Sequence, residues 1–297
     1  MASVTALRSI ELGVTDLRQS AAFYRECWGL RPVAEGPDFC FLRATGPEHH
    51  VLVLRERQTP MLLRINFAAA SPHAVQKLHG ELKSSGVTVR AEPGPVEDPG
   101  GGYGFAFLDH AGRELRIVSE VATHADAADA PDRARKLSHV VLNSTDADAD
   151  AAFFLDALDF RLSDQTAMME FIRCNAEHHS VAFVRADNVS LNHVAFEMPD
   201  WEAVMRGAGR MKENGHTLEW GIGRHGPGNN VFAYFIEPDG FVIEYTAELQ
   251  RIDEVLHQPG RPQDWVRPLN RLDQWGYAGA PSQRILDAMN GAGQAKQ

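Results

Sequence analysis

Cysteine is scarce in this chain. Three thiols in 297 residues, Cys27, Cys40 and Cys174, are an odd number without CxxC spacing, which argues against a disulfide framework and against a thiolate zinc site. Blocks of Lys and Arg are missing too, and a net charge of −11 with a pI near 5.6 disfavours a polyanionic partner such as nucleic acid. Long apolar runs are absent: no window approaches the ~18 residues of a membrane span, and the start MASVTALRSIELG has no basic region ahead of an apolar one. These absences lead to the expectation of a cytoplasmic, membrane-free protein with a small-molecule or protein partner. A hydrophobic fraction of 44% beside 23% charged residues is ordinary for a globular fold.

What the chain does contain is a repeat. Near the start it reads SIELGVTD (Ser9 to Asp16), and about 130 residues later SHVVLNSTD (Ser138 to Asp146). At nearly the same shift FLRATGPEHHVLVL meets FIRCNAEHHSVAF, LLRINFAAAS meets SLNHVAFEMPD, and FLDHAGRELRIVSE meets FIEPDGFVIEYTAE. Self-similarity at one offset indicates a duplicated unit of roughly 120 residues.

Within each half, short alternating strands are followed by an Asp or Ser and then an amphipathic helix. VTDLRQSAAFYRECWGL is one example: Asp16 can cap a helix whose apolar residues recur near helical spacing. The same reading applies to STDADADAAFFLDALDF, SPHAVQKLHGELKSSG and MPDWEAVMRGAGRMKENG. The expectation is an α+β protein of four strand–helix–strands units, two per half. Residues 1–122 form the first domain, the Ala/Asp-rich 123–136 a linker, 137–250 the second domain and 251–297 a tail. The tail carries Trp265, Trp275 and Tyr277, so part of it is expected to pack over the body and cover a pocket.

The repeat is an internal control. In the aligned halves His139 faces Ser9, His193 faces Ile65 and Glu244 faces Arg116. Two histidines and a carboxylate thus occur together in one copy of a strand scaffold and in neither form in the other. Three such residues are the set that holds a non-haem Fe(II) on one face and leaves its other positions open, although the same ligands accept Mn(II). His73, His79, His110, His124 and His216 have no comparable context and are read as surface residues.

SHVVL, LNHVAFE and FVIEYTAE in the second half resemble the type I extradiol ring-cleavage dioxygenases of the vicinal oxygen chelate superfamily, over about Leu7 to Leu249. The resemblance implies two tandem domains, each of two βαβββ modules forming a curved, barrel-like mixed sheet, and a homo-oligomer. It also implies a catecholic substrate whose ring is opened beside its hydroxyls with both atoms of O2. GRHGPGNNVFAYFIEPDGFVIEY resembles the segment in which an active-site His and Tyr precede the carboxylate ligand, which points to His225 and Tyr234 as catalytic and substrate-binding residues. EHHSVAF resembles the stretch supplying the acid-base histidine, and its spacing to His193 favours His179 over His178. Where homoprotocatechuate-cleaving relatives have an arginine for the substrate carboxylate, this chain has Trp220, which suits an apolar or bulky ring substituent.

Two other readings belong to the same superfamily. A glyoxalase-like isomerase or lyase commonly uses a second carboxylate ligand, and a drug-sequestering binding protein should lack the ligands in both halves. The retained triad with its His and Tyr neighbours counts against both.

Overall fold

The computed structural model describes residues 4–265 and 273–295. The first half runs β1 (Val4–Val14), α1 (Leu17–Phe23), β2 (Arg31–Glu35), β3 (Phe39–Arg43), β4 (Leu52–Glu56), β5 (Met61–Ala69), α2 (Pro72–Ser84), β6 (Val89–Pro95), β7 (Tyr103–Leu108) and β8 (Glu114–Ser119). The second half repeats it: β9 (Lys136–Ser144), α3 (Ala147–Leu158), β10 (Arg161–Gln165), β11 (Met169–Arg173), β12 (Val181–Arg185), β13 (Ser190–Glu197), α4 (Trp201–Glu213), β14 (Trp220–Arg224), β15 (Val231–Ile236) and β16 (Val242–Ala247). A short α5 (Gln283–Met289) follows near the end.

Each half is one eight-stranded mixed sheet, ordered β2-β3-β4-β1-β5-β8-β7-β6 in the first and β10-β11-β12-β9-β13-β16-β15-β14 in the second. The sheets are curved but not closed, so the expected α+β architecture of paired βαβββ modules holds without a complete barrel. Helices α1 to α4 begin the same way: Asp16, Ser71, Asp146 and Asp200 each accept a backbone N–H three residues on. Each cap satisfies a donor the helix cannot pair internally, worth about 1 kcal/mol. The helices then bury one stripe, as with Val75, Leu78 and Leu82 in α2. In α4 the stripe includes Gly207, where an added Cβ would lie 2.9 Å from the Tyr245 ring.

The halves interlock through aromatic residues. Trp28, just after α1, stacks on Tyr245 of the second sheet at 3.6 Å and 5° and meets Phe196 and Phe235 edge-on. In the reciprocal contact, Phe153 and Phe154 of α3 reach Phe107 and Phe67 of the first sheet. Charged residues reinforce the seam: buried Arg113 donates to Asp109, Asp150 and the Asn143 carbonyl.

Beyond β16 the chain follows the edge of the second sheet. Ile252 N–H donates to Ala176, Glu254 pairs with Arg161 and Arg173, and Gln165 N–H donates to the Gly260 carbonyl. Ile285 and Ala288 of α5 pack on Phe232, Tyr234 and Val242. Of the histidines read as surface residues, His73 and His110 are exposed, but His79, His124 and His216 are half-buried against Phe105, His49 and Phe23. Ring faces that cover neighbours are shielded whatever their polarity. Among the described residues no helix is long and apolar enough to cross a membrane.

Candidate metal centre and its cavity

One transverse row organises the second sheet. His139 on β9 lies opposite Ala195 on β13, Ala195 opposite Glu244 on β16, Glu244 opposite Tyr234 on β15, and Tyr234 opposite Trp220 on β14. Directly opposed residues share a face of a sheet, and His193, two positions before Ala195, joins them there. Four of the seven side chains singled out in the sequence stand in this row and a fifth beside it.

The first sheet carries the matching row Ser9, Asn66, Arg116, Ala106, Ala91. Ser9 and Arg116 are therefore the true counterparts of His139 and Glu244. Ile65 is not the counterpart of His193: it pairs with Ile10 and Leu115 as Val194 pairs with Val140 and Ile243. Arg64, opposite Glu11, stands where His193 stands opposite Val141. There, ion pairs fill the place of the triad, with Arg64 on Glu114 at 2.6 Å and Arg116 on Asp98 at 2.6 Å.

In the second sheet Glu244 Oε2 lies 3.2 Å from His139 Nε2 and 3.3 Å from His193 Nε2, and the three ligand atoms fall within 4.8 Å of one another. It is the one such group among the described residues. All three side chains are buried, and among the described residues Glu244 has no Lys or Arg partner. Burial alone would raise its carboxyl, but the facing His139, with Nε2 at 3.2 Å, acts the other way and holds it well below the usual range.

The ligand orientation can be tested from hydrogen bonding. The Met289 carbonyl accepts from Asn143 Nδ2, Asn143 Oδ1 then accepts from Asn192 Nδ2, and Asn192 Oδ1 is left facing His193 Nδ1 at 2.8 Å. His193 therefore carries a proton on Nδ1, and in the neutral form that its burial favours the Nε2 lone pair points at a carboxylate oxygen. Two lone pairs face each other across 3.3 Å. A cation between them removes the conflict, so the residues present fit a divalent metal. A register shift between Leu191 and His193 explains the geometry: Asn192 is the unpaired residue of a bulge, which lets adjacent side chains meet.

A cavity of about 570 Å³ opens over the triad and is lined by His139, His179, His193, Trp220, His225 and Tyr234 among others. His225 Nε2 and Tyr234 Oη are 2.9 Å apart, and the Trp220 ring lies over Tyr234 at 5.2 Å and 17°. Burial first, then the Glu244 charge, pushes the Tyr234 hydroxyl well above its ordinary value, so it stays protonated as a donor. His179 sits 4.2 Å from the His139 ring centre, and burial lowers its imidazole strongly. His178 lies behind it with no exposure. Val141, Phe171 and Val184 make the opposite wall apolar, and no Lys or Arg lines the cavity among the described residues.

From the tail, Trp265 lines the cavity, whereas Trp275 and Tyr277 are exposed. The sequence reading missed Leu286 and Met289 of α5, which close the cavity with Trp265. It also missed Asn192 and Asn143, for which a polar pair interrupting apolar strands was the available signal.

Residues 6–117 and 136–245 each match the family model described as the Glyoxalase/Bleomycin resistance protein/Dioxygenase superfamily. The chain belongs to this superfamily. Within it, a crystal structure of the Mn(II)-bound glyoxalase from Novosphingobium aromaticivorans is 38% identical, with a TM-score of 0.90 over 96% of this chain and 94% of that one. Metapyrocatechase 2 of Cupriavidus necator is 36% identical over 145 residues, 48% of this chain and 44% of that protein. Metapyrocatechase of Pseudomonas sp. (strain CF600) is 25% identical over 256 residues, 78% of this chain and 82% of that protein. The superfamily fold is thus shared along nearly the whole chain.

Proposed function

We propose that the protein is a metal-dependent extradiol dioxygenase, cleaving a catecholic ring beside its vicinal hydroxyls and incorporating both atoms of O2. The observation that carries this reading is the two-His, one-Glu face opening into a cavity that also holds His179, His225 and Tyr234. The metapyrocatechase relatives support the same class.

His139 Nε2, His193 Nε2 and Glu244 would hold the cation. Such a metal, Fe(II) in our reading with Mn(II) as the alternative, supplies Lewis acidity and the one-electron chemistry by which a singlet ring reacts with triplet O2. The chain's own residues do the rest. His179 Nε2, on the cavity wall, takes a proton from a catechol hydroxyl and returns one later. His225 and Tyr234 donate to the ring oxygens and stabilise negative charge there. Trp220 and the apolar wall hold the substituent side of the ring and exclude water.

A second reading, a glyoxalase-type isomerase, has the name of the Novosphingobium protein in its favour. The triad with a single carboxylate counts against it. Loading the protein with Fe(II) or Mn(II) without air and following O2 uptake against alkyl-, aryl- and carboxylate-substituted catechols separates the two. Uptake with a coloured ring-fission product supports the dioxygenase, and metal binding without uptake moves the assignment to the isomerase. We also place the protein in the cytoplasm as a homo-oligomer; its three free thiols support a reducing compartment, and sedimentation tests the assembly.

A further inference from the structure

His179 is backed by a chain of buried polar groups. His178 Nδ1 lies 3.0 Å from His179 Nδ1, and His178 Nε2 lies 2.7 Å from Asp164 Oδ2. The other oxygen, Asp164 Oδ1, accepts the Gly260 N–H at 2.6 Å. His178 and Asp164 lie outside the cavity, and all three side chains are buried.

The direction of each bond follows from its members. A carboxylate accepts and does not donate, so His178 Nε2 carries a proton. A neutral imidazole protonated there has its lone pair on Nδ1, which can receive only the proton of His179 Nδ1. His179 is then left with its lone pair on Nε2, the edge away from His178.

We infer that Asp164 and His178 are positioning residues that fix His179 in its Nδ1–H form and so present a basic Nε2 to the cavity. The inference rests on the proposed role of His179. It gives the adjacent histidines, indistinct in the sequence, separate tasks: one meets substrate and the other sets its tautomer.

The repeat supplies a comparison. The first sheet retains the histidine pair, with His49 Nδ1 3.1 Å from His50 Nδ1. Asp164 lies opposite Phe171, and the matching residue opposite Phe41 is Ala34. Among the described residues the half without the triad thus holds the same pair with no carboxylate hydrogen-bonded to it. Packing two adjacent histidines does not require Asp164, so its presence in the triad-bearing half calls for another reason.

Asp164→Asn tests the inference with little change in shape. Gly260 N–H keeps the amide oxygen on its own side, so the Asn nitrogen donates toward His178 Nε2. The chain then reverses: His178 donates from Nδ1 to His179 Nδ1, and the His179 proton moves to Nε2. In the metal-loaded variant kcat should fall about 100-fold, while KM for the catechol and metal content change by less than about twofold. Nitrogen-15 histidine spectra of the metal-free protein should show His179 protonated on Nδ1 in the parent and on Nε2 in the variant. An unchanged tautomer with kcat within about twofold of the parent overturns the inference. If the parent opens no catechol, the dioxygenase reading falls by itself and the spectra still decide the positioning role. If D164N loses its thermal transition, His178→Gln carries the test, and undiminished kcat there likewise overturns the inference.

Discussion

Asn192 holds His193 from the side, its amide oxygen 2.8 Å from the imidazole Nδ1. The contact depends on the bulge that brings two consecutive side chains together, and the amide is oriented in turn through Asn143 by the Met289 carbonyl at the end of α5. A backbone carbonyl in the tail therefore sets which nitrogen of His193 is free to ligate. Outer hydrogen bonds of this kind raise ligand basicity and fix ring orientation.

Asn192→Leu keeps the volume and removes the acceptor. The His193 proton is then no longer confined to Nδ1, and metal affinity should fall about 10- to 100-fold. Competition with a chelator of known affinity measures it. Affinity equal to the parent would show that the asparagine merely fills the bulge.

The ligands and the acid-base residue should separate cleanly. His139→Ala removes one of three ligands and should abolish stoichiometric metal binding, whereas His179→Ala should retain the metal and lose about 10²- to 10⁴-fold in turnover. Metal analysis beside kcat distinguishes them. A fully loaded His139→Ala protein would overturn the ligand assignment.

The helices and the duplication were legible because their signals are local: Asp16, Ser71, Asp146 and Asp200 sit at the punctuation that sequence alone marks as caps. His139 stood out because Ser9 replaces it in an equivalent strand. The counterpart of His193 was misread by one residue, Ile65 for Arg64, because the offset between the halves drifts along the chain, from Ser9/His139 through Arg64/His193 to Arg116/Glu244, and the bulges at Leu63 and Asn192, equivalent in the two sheets, become visible only in the strand pairing. Asp164 and Met289 were missed for a different reason: each acts through tertiary contacts with residues far along the chain, and neither belongs to a short motif.

Trp220 predicts substrate preference. Its ring covers Tyr234 and its N–H donates to the Gly279 carbonyl at 3.2 Å, which leaves an apolar face toward the cavity. Alkyl- or aryl-catechols should exceed carboxylate-bearing ones in kcat/KM by about tenfold or more, and Trp220→Arg should narrow that ratio by about tenfold. A parent enzyme that favours the carboxylate would contradict this account of the cavity.

Glu237 predicts a pH dependence away from the metal centre. It is buried just after β15, with Oε1 accepting the Phe241 N–H at 2.9 Å and Oε2 buried without a hydrogen-bond partner among the described residues. Burial, helped by the Asp239 charge, pushes its carboxyl up to about 8 from 4.5. Because the folded-state value is the raised one, the folded protein binds more protons than the unfolded chain between these limits. Stability from this group is therefore complete below about pH 4.5, declines as pH rises, and levels off above about pH 8. The full loss is about 2–4 kcal/mol, from 1.36 kcal/mol per unit reduced for relaxation around the charge. Glu237→Gln, which cannot ionise, should flatten that decline and stabilise the protein at alkaline pH, as measured by urea unfolding at several pH values. Parallel curves for parent and variant would mean that Glu237 ionises in the fold at little cost, through solvent access or a compensating charge.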